Sequence, residues 1–271
     1  MPSLATPTPD SDLRSPNSDL RRSSARAFGG VWRLTFRRFL LPGRWLLLAA
    51  GLAVFGLLCV AASPRNARDD QYLLWIIEFY LTFFVPALSF LSAGGALRDE
   101  MKSSTVDYVL TRPIRRPAFL SFKYIAHMLC TQVDFLVSFA VVLVVGTVRG
   151  MPGLAAAVPL LLLGQVLLVA AFSALGFLGG VLTSRYVVVG IAYALVIEVG
   201  IGQIPTQLSQ LSMTLQVREL LTALLFPLVG ATGVPTLLGT TAMLLAFGAV
   251  ALGTAGTLFA RRELSGGSAD A

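Results

Sequence analysis

Charge is what this 271-residue chain has least of. Only 13% of its residues are Asp, Glu, Lys or Arg, against 55% hydrophobic, where a soluble domain carries roughly 25% charge. The mean hydropathy is +0.76. A soluble fold of this size would leave much of that apolar surface in water, so an ordinary soluble enzyme and a disordered protein are both excluded. Cysteine is nearly absent. Cys59 and Cys130 fall inside apolar runs with no metal-ligand spacing and no redox motif, so a disulfide scaffold is excluded and both thiols are expected to pack between helices. The single histidine, His127, rules out an H-E-x-x-H zinc site and has no nucleophile motif beside it; packing or snorkelling is its plain role. Lysine occurs only at Lys102 and Lys123, neither after a glycine, so no G-x-x-x-x-G-K-[ST] loop exists to hold a nucleotide. No catalytic residue, cofactor or metal site is expected in this chain.

What remains is long apolar runs. Crossing a hydrocarbon core of about 30 Å takes about 20 apolar residues in a helix. Six stretches qualify: residues 44–62, 72–97, 124–148, 154–183, 186–204 and 236–260. A further run, 220–231, is too short to span and contains Pro227, which suits a re-entrant or interfacial piece over 219–231; a seventh span is the alternative. The predicted fold is all-α, a polytopic membrane bundle of six helices over residues 44–260. The net charge is +7. With the N-terminus inside, 17 of the 21 basic residues fall on inner segments and four on outer ones. That bias places both termini in the cytoplasm and the chain in the cell (inner) membrane, and it leaves no reason to invoke nucleic acid.

Residues 1–26, rich in Ser, Pro, Asp and Arg and without an apolar run, predict a disordered cytoplasmic tail rather than a signal peptide, and 261–271 a second short tail. Over 27–43, Phe28, Trp32, Phe36 and Phe39 recur on one helical face and Arg26, Arg33, Arg37 and Arg44 on another. Such a helix lies in the plane of the membrane interface; an ordinary basic anchor before the first span is the alternative. Pro42-Gly43 breaks it.

Three carboxylates fall within spans, Glu78, Asp134 and Glu198. Each costs several kcal/mol in hydrocarbon and must face protein or water. Asp134 and Glu198 are candidates for a translocation path or a proton site; a helix–helix hydrogen bond with a protonated carboxyl as donor is the alternative, and the plainer one for Glu78. Gly176 and Gly180, and Ala249 and Gly253, have the spacing that lets helices approach closely.

The segment between spans two and three, 97–123, is long and dense in charges of both signs. Leu97, Met101 and Tyr108 can share a helical face, Arg112-Pro113 stops that helix, and Pro117 suits the first turn of the next. The outcome is helix, tight turn, helix at the cytoplasmic surface. Here the sequence resembles the membrane subunit of ABC-2 type transporters, with an acidic residue at Glu100, then Thr105, then Asp107-Tyr108-Val109-Leu110, then Pro113 and Arg116, and with Lys123 at the start of the third span. Ser104 and Phe122 stand where that family commonly has glycine. The resemblance implies that 97–123 is a coupling helix docking on a separate ATPase subunit, with Arg98, Glu100, Lys102, Thr105, Asp107, Tyr108, Arg112, Pro113, Arg115 and Arg116 as candidate contacts, since charges of both signs fix register on a partner. It also implies a permease subunit of an ATP-driven exporter, ATP and Mg held by that partner, and a second permease subunit in a homodimer. The rival readings are an ion-coupled secondary transporter using Asp134 and Glu198, and a membrane scaffold.

Overall fold

In a computed structural model of the chain, the described residues are 29–30, 32–33, 35–37, 42–63, 69–102, 116–151, 153–203, 207–226 and 237–261. They are helical almost throughout, with no strand among them. The helices are α1 (Pro42–Ala62), α2 (Asp69–Trp75), α3 (Val85–Lys102), α4 (Arg116–Val148), α5 (Leu154–Leu182), α6 (Tyr186–Tyr193), α7 (Met213–Leu225) and α8 (Leu237–Arg261). A π-helical segment, Ile76–Phe84, joins α2 to α3 without a break, and a second, Ala194–Gly200, extends α6.

Among the described residues, four helices are long and apolar enough to cross a membrane: Gln71–Met101, Pro117–Val148, Leu154–Leu182 and Leu237–Arg261. The shortest has 25 residues, about 37 Å at 1.5 Å per residue. They coincide with the expected spans 72–97, 124–148, 154–183 and 236–260. The expected spans at 44–62 and 186–204 correspond to the shorter apolar helices Leu48–Ala62 and Tyr186–Gly200. The chain is therefore built as a multi-pass membrane protein, and its outward faces agree: Leu57, Phe83, Val144, Val188, Leu238 and Val250 are all exposed.

The helix ends follow local chemistry. Pro42 opens α1, where a missing N–H costs nothing. Between α4 and α5 the chain turns through Gly150 and Gly153 at φ of 69° and 79°, a region open to glycine. Pro86 has no N–H and its ring crowds the carbonyl four residues back. The helix before it widens in response, and Val85 N–H bonds Tyr80 O, five residues back. Two boundaries differ from expectation. α3 runs on to Lys102 and α4 begins at Arg116, so both ends of the expected 97–123 loop are helical continuations of the spans. The short apolar piece expected from 219 belongs to a helix that starts at Met213, because Ser212 caps it by accepting from Leu215 N–H at 3.1 Å. The tail 1–26, residues 103–115, 227–231 and the tail from 262 lie outside the described residues.

α5 is the hub, with α3, α4, α6, α7 and α8 packed against it. Its tightest seam is with α3. A side chain on Gly176 would stand 2.5 Å from Phe90 O and 2.9 Å from Ala93 Cβ, and one on Gly180 3.0 Å from Gly94 O. The expected seam at Ala249 and Gly253 is not one: nothing lies within 4 Å of a Cβ at Gly253, because α8 turns Thr240, Leu244, Ala251, Ala255, Gly256 and Phe259 inward. Around the first π-helical segment an aromatic core gathers Phe55, Trp75, Tyr80, Phe84 and Phe139, with Phe55 and Phe84 stacked at 4.6 Å. The Tyr80 hydroxyl lies 3.0 Å from Phe135 O and 2.8 Å from Gln165 Oε1, and Gln165 Nε2 is left without a partner. A hydroxyl has one proton to give. Turning the Gln165 amide over lets Nε2 donate to Tyr80 while Tyr80 donates to Phe135 O.

Because the atom facing Gly176 is a backbone carbonyl that cannot swing aside, Gly176→Ala is expected to cost about 1–3 kcal/mol. Gly253→Ala is expected to be neutral. Thermal unfolding in detergent micelles measures both.

Candidate functional site

Among the described residues, two polar junctions stand at opposite ends of the apolar bundle. The first is built on Lys123. It lies two turns into α4 and is 3% exposed, and an ammonium so buried must be paired. Its Nζ donates to the Glu100 carboxylate, in the last turn of α3, and to Thr35 Oγ1 at 3.1 Å. Thr35 is itself buried and belongs to the N-terminal helical segment. One cation thus ties together three segments, two of which bracket residues 103–115. In the N-terminal segment Trp32 and Phe36 stack at 6.3 Å while Arg33 and Arg37 are exposed.

The sequence-predicted coupling residues divide around this junction. Arg98, half-buried, and Glu100 sit on the last turns of α3; Lys102 ends that helix and Arg116 opens α4. Thr105, Asp107, Tyr108, Arg112, Pro113 and Arg115 lie outside the described residues. The Lys123–Glu100 pair was not legible as a pair, because the two residues are 23 apart in sequence. The available signal was composition: one of two lysines in a chain that otherwise uses arginine.

The second junction is built on Glu198, in the second π-helical segment. Its Oε1 accepts from Tyr193 Oη at 2.9 Å; its Oε2 accepts from Ser212 Oγ at 2.5 Å, Thr214 Oγ1 at 2.5 Å and Thr214 N at 3.2 Å. Three hydroxyls and one backbone N–H thus surround this carboxyl group. It sits at the N-terminus of α7, where free N–H groups and the helix dipole favour an anion. Glu198 therefore fastens α7 to the extended α6. α7 in turn carries Arg218, whose guanidinium lies 3.6 Å from Glu78 on the first π-helical segment.

Glu198 and Asp134 are not brought together. Glu198 lines a groove of about 570 Å³ between the first π-helical segment, α3, α6 and α7. Asp134 lines a different cavity of about 730 Å³ between α1, α3 and α4, and its backbone carbonyl accepts from Ser138 Oγ at 3.1 Å. His127 is buried, with Nε2 3.2 Å from Thr131 Oγ1, and both cysteines are buried.

Residues 42–201, more than half of the chain, match the family described as ABC-2 family transporter protein. No curated protein matches the chain at a significant level. The matched region runs from α1 through the π-helical extension of α6 and contains Glu100, Lys123 and Glu198, while Thr35 lies before it.

Removing one member of a buried ion pair strands the other. Glu100→Ala and Lys123→Ala are each expected to destabilise the bundle by about 3–5 kcal/mol. The double substitution is expected to cost less than their sum, by about 2 kcal/mol. Unfolding in detergent micelles across the four proteins of this cycle measures the coupling.

Proposed function

The chain belongs to the ABC-2 transporter family, and we propose that it is the permease subunit of an ATP-driven exporter. In this reading it crosses the cell membrane six times with both termini in the cytoplasm, the short helices Leu48–Ala62 and Tyr186–Gly200 being the first and fifth spans. A separate ATPase subunit binds ATP and Mg and performs the hydrolysis, and this chain is not itself an enzyme. Two copies of the permease enclose the path, because among the described residues the centre of the single bundle is filled by α5 and the helices packed on it.

The observation that carries the proposal is the buried Lys123–Glu100–Thr35 junction. Force from a closing ATPase reaches the membrane only through a stiff element. Residues 103–115 connect in sequence the two helices that this junction clamps at their inner ends, and the N-terminal segment is locked to the same point. A push on 103–115 is thereby delivered to α3 and α4 together. The charged residues Asp107, Arg112 and Arg115 in that segment are the ones we assign to contact with the ATPase, while Glu100 and Lys123 are positioning residues. The ion-coupled alternative has less support: it needs Asp134 and Glu198 to act on one path, yet they line separate cavities and Glu198 is saturated by donors of its own chain.

Reversing the contact charges tests this. With Arg112→Glu and Arg115→Glu combined, co-purification with the cognate ATPase is expected to fall at least about tenfold, or about 1.4 kcal/mol, with the thermal stability of the permease unchanged. Full co-purification and full ATP-dependent transport by that variant would overturn the assignment.

A further inference from the structure

The groove beside Glu198 has a polar end and an apolar length. Along the extended α6, residues Val187, Gly190, Ile191, Ala194, Leu195 and Glu198 line it at helical spacing. Across from them stand Phe83, Pro86 and Phe90 of the first π-helical segment and α3, with Phe172 of α5. From Glu78 to Phe90 is twelve residues, about 18 Å of helix. Over that length the polar side chains are confined to the outer end, at Glu78, Thr82, Glu198, Thr214 and Arg218. The groove lies on the flank of the bundle: Phe83, Ile191, Leu195 and Val199 are all exposed. Its α6 wall buries none of its own residues.

The charges at the outer end are unequally committed. Glu198 is fully engaged, with four donors from its own chain. Glu78 and Arg218 are not. They stand 3.6 Å apart, a separation longer than a charge-assisted hydrogen bond, and their side chains are 55% and 32% exposed. An arginine has five N–H donors and a carboxylate about four acceptor sites, so each keeps capacity turned to the groove. Such a pair rejects a simple anion, which meets Glu78, and a simple cation, which meets Arg218; a head group carrying both signs is complementary to it. An intramembrane charge pair is costly, and a loose one leaves part of that cost unmet until a ligand completes it.

We propose that this groove is a lateral binding site for a zwitterionic phospholipid, its ammonium on Glu78, its phosphate on Arg218 and one acyl chain laid between Phe83, Phe90, Ile191 and Leu195. The Glu198 network has a positioning role here, since it fixes the N-terminus of α7 and so sets Arg218 opposite Glu78. The inference builds on the transporter reading and names a class of substrate for it.

The test is lipid retention by the purified full chain in detergent micelles, followed by mass spectrometry, with phosphatidylethanolamine and phosphatidylglycerol as probes. No ATPase is needed. The wild-type protein is expected to retain phosphatidylethanolamine about tenfold more than phosphatidylglycerol. Arg218→Gln is expected to lower phosphatidylethanolamine retention about tenfold. Glu78→Gln, which leaves a lone cation, is expected to invert the preference. Ala87→Phe, which fills the groove and leaves the ion pair intact, is expected to abolish retention of both lipids, while Val188→Phe on the outward face changes nothing. Equal retention of the two lipids by the wild-type protein, or unchanged retention in Ala87→Phe, overturns the proposal. Either failure leaves co-purification with the ATPase untouched. Conversely, selective lipid retention without any ATP-dependent transport would count against the transporter reading and not against the site.

Discussion

A lysine ammonium closed off from water, held by one carboxylate and one hydroxyl, is what the end of the bundle at α3 and α4 depends on. Lys123 cannot be left alone at 3% exposure. The geometry that satisfies it also dictates how α3, α4 and the N-terminal segment meet. Packing alone would tolerate sliding of two apolar helices past each other by a fraction of a turn. A buried ion pair does not, because a shift leaves a charge unpaired at a cost of several kcal/mol. That is the property a force-transmitting base requires, and it explains why a helix end rich in charge can be rigid where solvated surface charges would contribute little.

The opposite end of the bundle uses the same physics differently. Glu198 is satisfied by hydroxyls and a helix N-terminus rather than by a countercharge, so it anchors α7 without neutralising anything. The cation that α7 carries is then placed beside Glu78. Both π-helical segments lie at this level, one bearing Glu78 and the other Glu198. Widened turns of this kind cost regular hydrogen bonding and are frequent at functional positions. In the first, Pro86 supplies a plain local cause; for the second, no residue in the segment does.

Much of the architecture was legible in the sequence because a bilayer demands long uninterrupted apolar runs, and four of the six predicted runs are helices long enough to span. The family was legible from a handful of residues between Glu100 and Arg116 together with that layout. What was not legible depends on three-dimensional placement. The spacing of Ala249 and Gly253 allows close helix contact but does not say which way α8 turns, and it turns them away. The spacing of Gly176 and Gly180 is the same motif, and there the α3 backbone does approach. Glu198 was recognised as an intramembrane carboxylate, but its partners Ser212 and Thr214 lie 14 and 16 residues further along the chain and carried no signal that they would meet it. The start of α7 was misjudged by following hydrophobicity to Leu220, where the Ser212 cap, three residues before Leu215, was the better signal.

The central claim is that residues 103–115 form the contact with an ATPase and that Lys123 holds them in place. Both native thiols are buried, so a single introduced cysteine can carry a selective label. The direct measurement is cross-linking from an Arg112→Cys protein to its ATPase, made with Lys123 intact and again with Lys123→Met. A strong cross-link that weakens severalfold when Lys123 is replaced, in a protein that still folds, is the predicted result. No cross-link in either background, or equal cross-linking in both, would contradict the account.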